Sequence, residues 1–370
     1  MEQTESLERI RVFREYLGLA AAAVLCCLLA GCGKEVRARL EAPFPEKLSA
    51  WKLFVGNPAD LKPNQGVIPY DLNTTLFTDY AEKRRFVWMP RGQAAAYRPD
   101  DVFEFPKGAI LVKTFAYPDA ALGGRGRLIE TRLLVNANEG WIALPYVWNA
   151  AQTEATLQVN ADPVHVNWKK PSGGNYDIYY SIPNSNQCKE CHDQNKITGP
   201  IGPKARHLNR DIDYADGRFN QLRYWEKPGY IKDVPEAAKI PRQAVWDDPA
   251  TGTLEERARA YLDVNCAHCH SIQGAASNTG LYLSDLQADP MRIGFCKTPV
   301  ATGKASAEML FDAVPGHPET SILTHRMASE EPKIMMPEIG RSIAHKEGVK
   351  LIREWLASLR GECDVKRPSI

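Results

Sequence analysis

The sequence predicts a multidomain protein in which an all-β domain, of sandwich or jelly-roll type, is followed by mostly α domains. Three observations carry this expectation. Between residues 66 and 182 roughly seven short strand candidates follow one another, with no helical pattern long enough to separate them as a parallel α/β fold requires. Downstream, the pattern CxxCH occurs twice, at Cys188-Lys-Glu-Cys191-His192 and at Cys266-Ala-His-Cys269-His270. Amphipathic helix patterns flank the second copy at 254–262 and 348–359.

The chain starts with a targeting pattern. The apolar run from Leu17 to Ala30 is too short for a comfortable transmembrane helix and ends in Leu29-Ala30-Gly31-Cys32. Arg9, Arg11 and Arg14 precede it, diluted by Glu8 and Glu15. This box resembles that of bacterial lipoproteins. The resemblance implies that residues 1–31 are a signal peptide and that Cys32 is the lipidated first residue of the mature chain. Gly33 follows, rather than the Asp that often retains such proteins at the inner membrane. The expected location is therefore the periplasm, anchored to the outer membrane by lipid.

Residues 32–65 read as a tether and lead-in segment, broken by Pro43, Pro45, Pro58 and Pro63. The β-rich domain spans 66–182. Its strand candidates are 85–88, 102–105, 109–117, 128–135, 141–148, 155–159, 164–168 and 176–182. Its acidic residues are scattered and its Trp and Tyr residues read as core, so no catalytic constellation stands out. Residues 183–245 form a reduced first CxxCH module, turn-rich at Gly199-Pro200 and Gly202-Pro203, with a helix candidate at 218–225. Residues 246–363 form a fuller second module. Thr253 and Glu256 fit a capping box, and Ala258, Tyr261 and Leu262 share one helix face.

The chemistry of CxxCH is specific. Two thiols two residues apart can each form a thioether with a haem vinyl group, and the following His can ligate the iron. One copy alone could be a zinc half-site or a redox dithiol. Two copies in an exported chain predict two covalently bound haem c groups, held by Cys188, Cys191 and His192 and by Cys266, Cys269 and His270. The nine cysteines then sort. Cys26 and Cys27 belong to the signal, Cys32 to the lipid, and four to haem. Cys296 and Cys363 remain as an even pair in an oxidising compartment, which predicts a disulfide.

The iron at His270 needs a sixth ligand or an open position, and Met336, followed by Pro337, is the best offer; Met335 and Met327 are its competitors. For the iron at His192 the choice stays open between His207, Met89 or His165 reaching in from the β domain, and an open position. His268, inside the second motif, reads as a surface residue. The formal net charge of +1 implies neither a nucleic-acid partner nor a polybasic membrane contact.

The second half resembles a class I cytochrome c domain through Cys266–His270, Gly280-Leu-Tyr-Leu283, Met335-Met336-Pro337 and the Trp355-Leu356 helix. Over roughly residues 50–360 the chain is similar to a group of periplasmic di-haem c-type cytochromes with a β-rich leader and two CxxCH modules. The leader resemblance rests on Asp71–Asp79, Phe105-Pro-Lys-Gly108, Ile129-Glu-Thr-Arg132 and Trp148–Ala155. That of the first module rests on Ile182-Pro183, Gln187-Cys188, Leu208–Asp211 and Asn220-Gln221-Leu222. The resemblance implies electron transfer between periplasmic redox proteins, making the chain a carrier rather than a catalyst. Two alternatives stand beside this. One is a peroxidase-like haem enzyme with the His192 haem as reactive centre and the His270 haem as relay. The other is a haem-stabilised module whose β domain binds protein.

Overall fold

The computed structural model describes residues 35–36, 38–169, 174–300 and 303–364. The signal segment and Cys32 lie outside the described residues. No helix among the described residues is long and apolar enough to cross a membrane.

The centre is one six-stranded antiparallel sheet built from β1 (Ile68–Tyr70), β2 (Glu82–Trp88), β4 (Ile110–Tyr117), β5 (Arg127–Ala137), β6 (Gly140–Trp148) and β7 (Ala155–Leu157), in that spatial order. The intervening β3 (Ala95–Ala96) pairs elsewhere. Strand β4 reads Ile-Leu-Val-Lys-Thr-Phe-Ala-Tyr, apolar at nearly every position. Such a run belongs to a strand covered on both faces, and seven of its eight residues are buried. Lys113 is the one interruption.

Successive side chains leave opposite faces, so each strand feeds two cores. Phe86, Trp88, Ile110, Val112, Leu133, Val135 and Tyr146 meet Leu48, Trp51, Leu53 and Leu61 of the lead-in segment. Trp51 Nε1 donates to the Tyr146 hydroxyl at 2.6 Å, which pins that segment down. On the other face Val87, Leu111 and Leu134 meet Leu208, Leu222, Trp225 and Tyr230. The hairpin β8 (Val164–Lys169) and β9 (Asn175–Tyr180) covers the end of that face, with Trp168 against Tyr117 at 4.6 Å between ring centres.

This corrects the expected fold class in two respects. Among the described residues no large second sheet stacks on the first; one face is covered by the lead-in segment with its short 3-10 turns, and the other by residues 205–240 and the β8–β9 hairpin. The region after residue 182 is also not mostly α. The described residues hold seven α-helices: α1 (Ser185–His192), α2 (Ala205–Leu208), α3 (Gln221–Glu226), α4 (Leu254–Asn265), α5 (Pro290–Ile293), α6 (Ile322–Ala328) and α7 (Lys346–Ser358). Most span one or two turns, and three small strand pairs, β10–β11, β12–β13 and β14–β3, lie among them (Asp193–Gln194 with Ile197–Thr198, Asp211–Tyr214 with Gly217–Asn220, Ile231–Lys232 with β3). Proline and glycine at 199–203, 228–229 and 315–318 stop longer helices. The strand candidate at 102–105 forms isolated bridges, to Ala96 and to Lys204.

Helices α4 and α7 do pack together. Tyr261, Leu262, Ile352, Trp355 and Leu356 share one core with Leu281, Leu283 and Met327.

Candidate functional site

Helix α1 opens with a capping box in which Asn184 and Gln187 exchange side-chain and backbone hydrogen bonds. It carries Cys188, Cys191 and His192 on its last turns. Helix α4 opens with the capping box of Thr253 and Glu256 and ends with Cys266 at its C-cap. A tight turn follows, closed by the His270 amide donating to the Cys266 carbonyl at 2.9 Å.

The two motifs line two adjoining cavities, with Cys191, His268 and His270 on the wall of both. The first, of about 510 Å3, is lined by Cys188, Cys191, His192, His207, Arg85, Lys113 and Arg132. The second, of about 470 Å3, is lined by Cys266, Cys269, His270, Met336 and Met327. Both volumes suit a cofactor-sized ligand, for which pockets run from about 300 to 1,000 Å3. The motifs also meet each other. Donor atoms of Cys191, His268 and Cys269 lie within 4.8 Å of one another. The Asn195 amide donates to the Gln273 carbonyl at 2.9 Å. The Cys269 thiol beside Cys191 pulls the Cys191 thiol down in pKa and is itself pushed up. His268, expected at the surface, instead lines both cavities with a buried, unpartnered Nδ1.

The two imidazoles are prepared differently. His192 Nδ1 donates to the Gly199 carbonyl at 2.8 Å. A metal-ligating His commonly donates its second ring N–H in this way, which fixes the tautomer and turns Nε2 outward. Burial lowers the His192 pKa against the opposing pull of that carbonyl. His270 is lowered to about 4, first by burial and then by His268 and Arg326. Both rings are thus neutral near pH 7 and have a lone pair to offer. His270 Nδ1 is buried without a hydrogen-bond partner. Burial raises the Cys188 thiol, and lifts Cys266 to about 12.

Met336 shares the second cavity with His270. Its loop is held by backbone and guanidinium contacts: the Met336 amide donates to the Arg326 carbonyl at 3.0 Å, and Arg341 Nη2 donates to the Met336 carbonyl at 2.9 Å. Among the offers for the first site, His207 lines the cavity, but its Nε2 is taken by the Asp263 carboxylate at 2.8 Å. Met89 is sealed in the core on that face of the sheet, and His165 sits on the outer hairpin bonded to Asp177 at 2.6 Å. Neither lines the cavity. Cys296 and Cys363 are joined by a disulfide across a separation of 67 residues.

The donor set fits covalently held porphyrins. Each cavity combines two cysteines with a neutral His, and the second adds a thioether. A buried cation also waits for an anionic group. Arg341 is buried and lines both cavities, yet its Nε and Nη1 have no partner. Sequence reasoning missed Arg341, Arg85, Lys113, Arg132 and the Gly199 carbonyl. Of these only Lys113 left a sequence signal, as the lone charge in the apolar run of β4.

Comparison with known proteins gives no match to this chain from family models, from curated proteins or from solved structures.

Proposed function

We propose that the chain is a di-haem c-type cytochrome that carries electrons between periplasmic redox proteins, tethered to the outer membrane through lipid on Cys32. The observation that carries this is the meeting of the two motifs: Cys191 and Cys269 stand side by side, and each CxxCH supplies both its cysteines and its His to one of two adjoining cavities that share Cys191, His268 and His270. A haem bound at each site would supply one-electron redox chemistry. The chain's own residues do the rest. Cys188 with Cys191, and Cys266 with Cys269, anchor. His192 and His270 offer neutral imidazoles. Met336 offers a soft, neutral thioether at the second site, which favours the reduced state of iron. Arg326 and Arg341 hold the methionine loop in place.

Spectroelectrochemistry of the holoprotein tests the carrier reading. Two low-spin haems with separate reversible potentials and no catalytic turnover support it.

One observation favours a second reading, a peroxidase-like enzyme whose reacting centre is the His192 site. Of the three side chains considered as its sixth ligand, Met89 and His165 lie elsewhere, and His207 bonds Asp263 through Nε2, which leaves Nδ1 as its one ring nitrogen for a metal. A high-spin ferric signal by EPR, with steady peroxide turnover, would select this reading over the carrier.

A further inference from the structure

The face of the sheet that looks into the first cavity carries a row of cations. Arg85 of β2 lies directly opposite Lys113 of β4, and Lys113 lies directly opposite Arg132 of β5. All three line the cavity that holds Cys188, Cys191 and His192. Like charges directly opposite on adjacent strands are destabilising, and here the unfavourable pairing occurs twice in succession.

The carboxylates nearby cancel it only in part. Glu130 is committed to Arg132 (Nε to Oε2 at 2.8 Å) and to the Tyr180 hydroxyl at 2.6 Å. Asp71 takes Arg85 Nη1 at 3.0 Å. Arg85 is 4% exposed, and its Nη2 is buried with no hydrogen-bond partner. Among the described residues no carboxylate is within ion-pair reach of the Lys113 ammonium, whose contact is the Phe115 ring at 5.0 Å. Burial, then Arg85 and Arg132, hold the Lys113 pKa well below the usual lysine value. Two carboxylates for three cations leave the row one counter-charge short, which is costly in a partly buried place unless an anion completes it.

We propose that Arg85, Lys113 and Arg132 form an anion-binding wall that receives a carboxylate or small oxyanion inside the first cavity. Two sources have this chemistry. One is a propionate of the porphyrin carried at Cys188 and Cys191, and this source rests on the haem reading above. The other is a free small anion that enters the cavity. The wall explains why an otherwise apolar strand carries a lysine at its centre, and it gives the β-rich region a share in the first site.

The test uses the holoprotein with Lys113→Met and Lys113→Arg, and Arg85→Gln in place of Lys113→Met should that variant not accumulate. Haem content is counted first, then both midpoint potentials are titrated and inorganic phosphate is added while the Soret band is followed. If the anion is a propionate, Lys113→Met lowers one midpoint potential, because a positive charge that favoured the reduced iron is gone. Lys113→Arg restores it, and phosphate leaves the spectrum unchanged. If the anion is free, phosphate shifts the wild-type Soret band saturably, and Lys113→Met weakens its Kd at least tenfold. Unchanged potentials together with an absent or variant-independent phosphate response would overturn the wall. A wild-type protein with no porphyrin at Cys188 and Cys191 would refute the haem reading instead. The wall is then judged by calorimetry with inorganic phosphate alone, where lack of binding overturns it too.

Discussion

Asp263 sits three residues before Cys266 and accepts from Arg206 Nη2 at 3.0 Å, His207 Nε2 at 2.8 Å and Gln243 Nε2 at 2.9 Å. Burial alone would push its carboxyl up, but His207 and Arg206 outweigh that and hold it well below the usual carboxylate range. A carboxylate depressed by folding contributes stability above its unfolded value of about 4, and that contribution is lost as pH falls further. Asp263→Asn leaves Arg206 with Asp285 at 3.0 Å as its remaining carboxylate and weakens three buried hydrogen bonds, so urea unfolding at pH 7 should show a loss of about 1–3 kcal/mol. The gap between wild type and variant should narrow below about pH 4. A variant as stable as wild type at pH 7 would contradict the role given to this carboxylate. Met336→Ala makes the second residue-scale prediction. The oxidised protein should lose any iron–sulfur charge-transfer band at the red edge of its spectrum, and one potential should fall. A retained band would remove Met336 from the iron. At this scale the two CxxCH motifs that the structure brings together were legible, because each is local and defined by its spacing. His207 was not legible as an engaged side chain, since its partner Asp263 lies 56 residues away. The Arg85–Lys113–Arg132 row was equally hidden, because strand register creates it.

Helices α4 and α7 cross where Gly348 faces Tyr261. A Cβ at Gly348 would collide with the Tyr261 ring and meet His345 Nδ1 at 2.7 Å. Tyr261 is buried, and its hydroxyl bonds His345 Nδ1 at 3.0 Å, so neither ring can give way without breaking that pair. Gly348→Ala gains up to about 1 kcal/mol of helix propensity and loses about 1–3 kcal/mol to overpacking. The net expectation is a destabilised crossing with a lower thermal midpoint, and a raised midpoint would contradict the close approach. The disulfide ties residue 363, beyond α7, back to Cys296. Replacing both cysteines by Ser should cost about 2–4 kcal/mol in denaturant unfolding, because the unfolded chain regains the freedom of a long loop. The longer strands and these two helices were legible from their periods. The covering of the sheet was not. Irregular chain such as the lead-in segment carries no period to read, and the sequence pattern of a doubly covered strand does not say what covers it. The expectation of a sandwich followed by mostly α modules failed there.

Across the molecule, buried contacts bind the sheet to both motif-bearing regions. Asp79 at the end of the β1–β2 connection accepts the Ser342 amide at 2.7 Å and the Ile343 amide at 3.0 Å, just past Arg341. The Phe77 amide donates to Asn265 Oδ1 at 2.7 Å at the end of α4, beside Cys266. Asp263 joins α4 to the residues around His207. The two CxxCH motifs, 78 positions apart in sequence (266 minus 188), are therefore neighbours in space. The proposed electron carriage depends on that adjacency and on both sites holding covalent porphyrin. The most direct measurement is a pyridine haemochrome assay on the denatured, purified protein, with haem quantified against peptide. The account predicts two covalently attached haems per chain. A colourless denatured polypeptide, or one haem per chain, would contradict it.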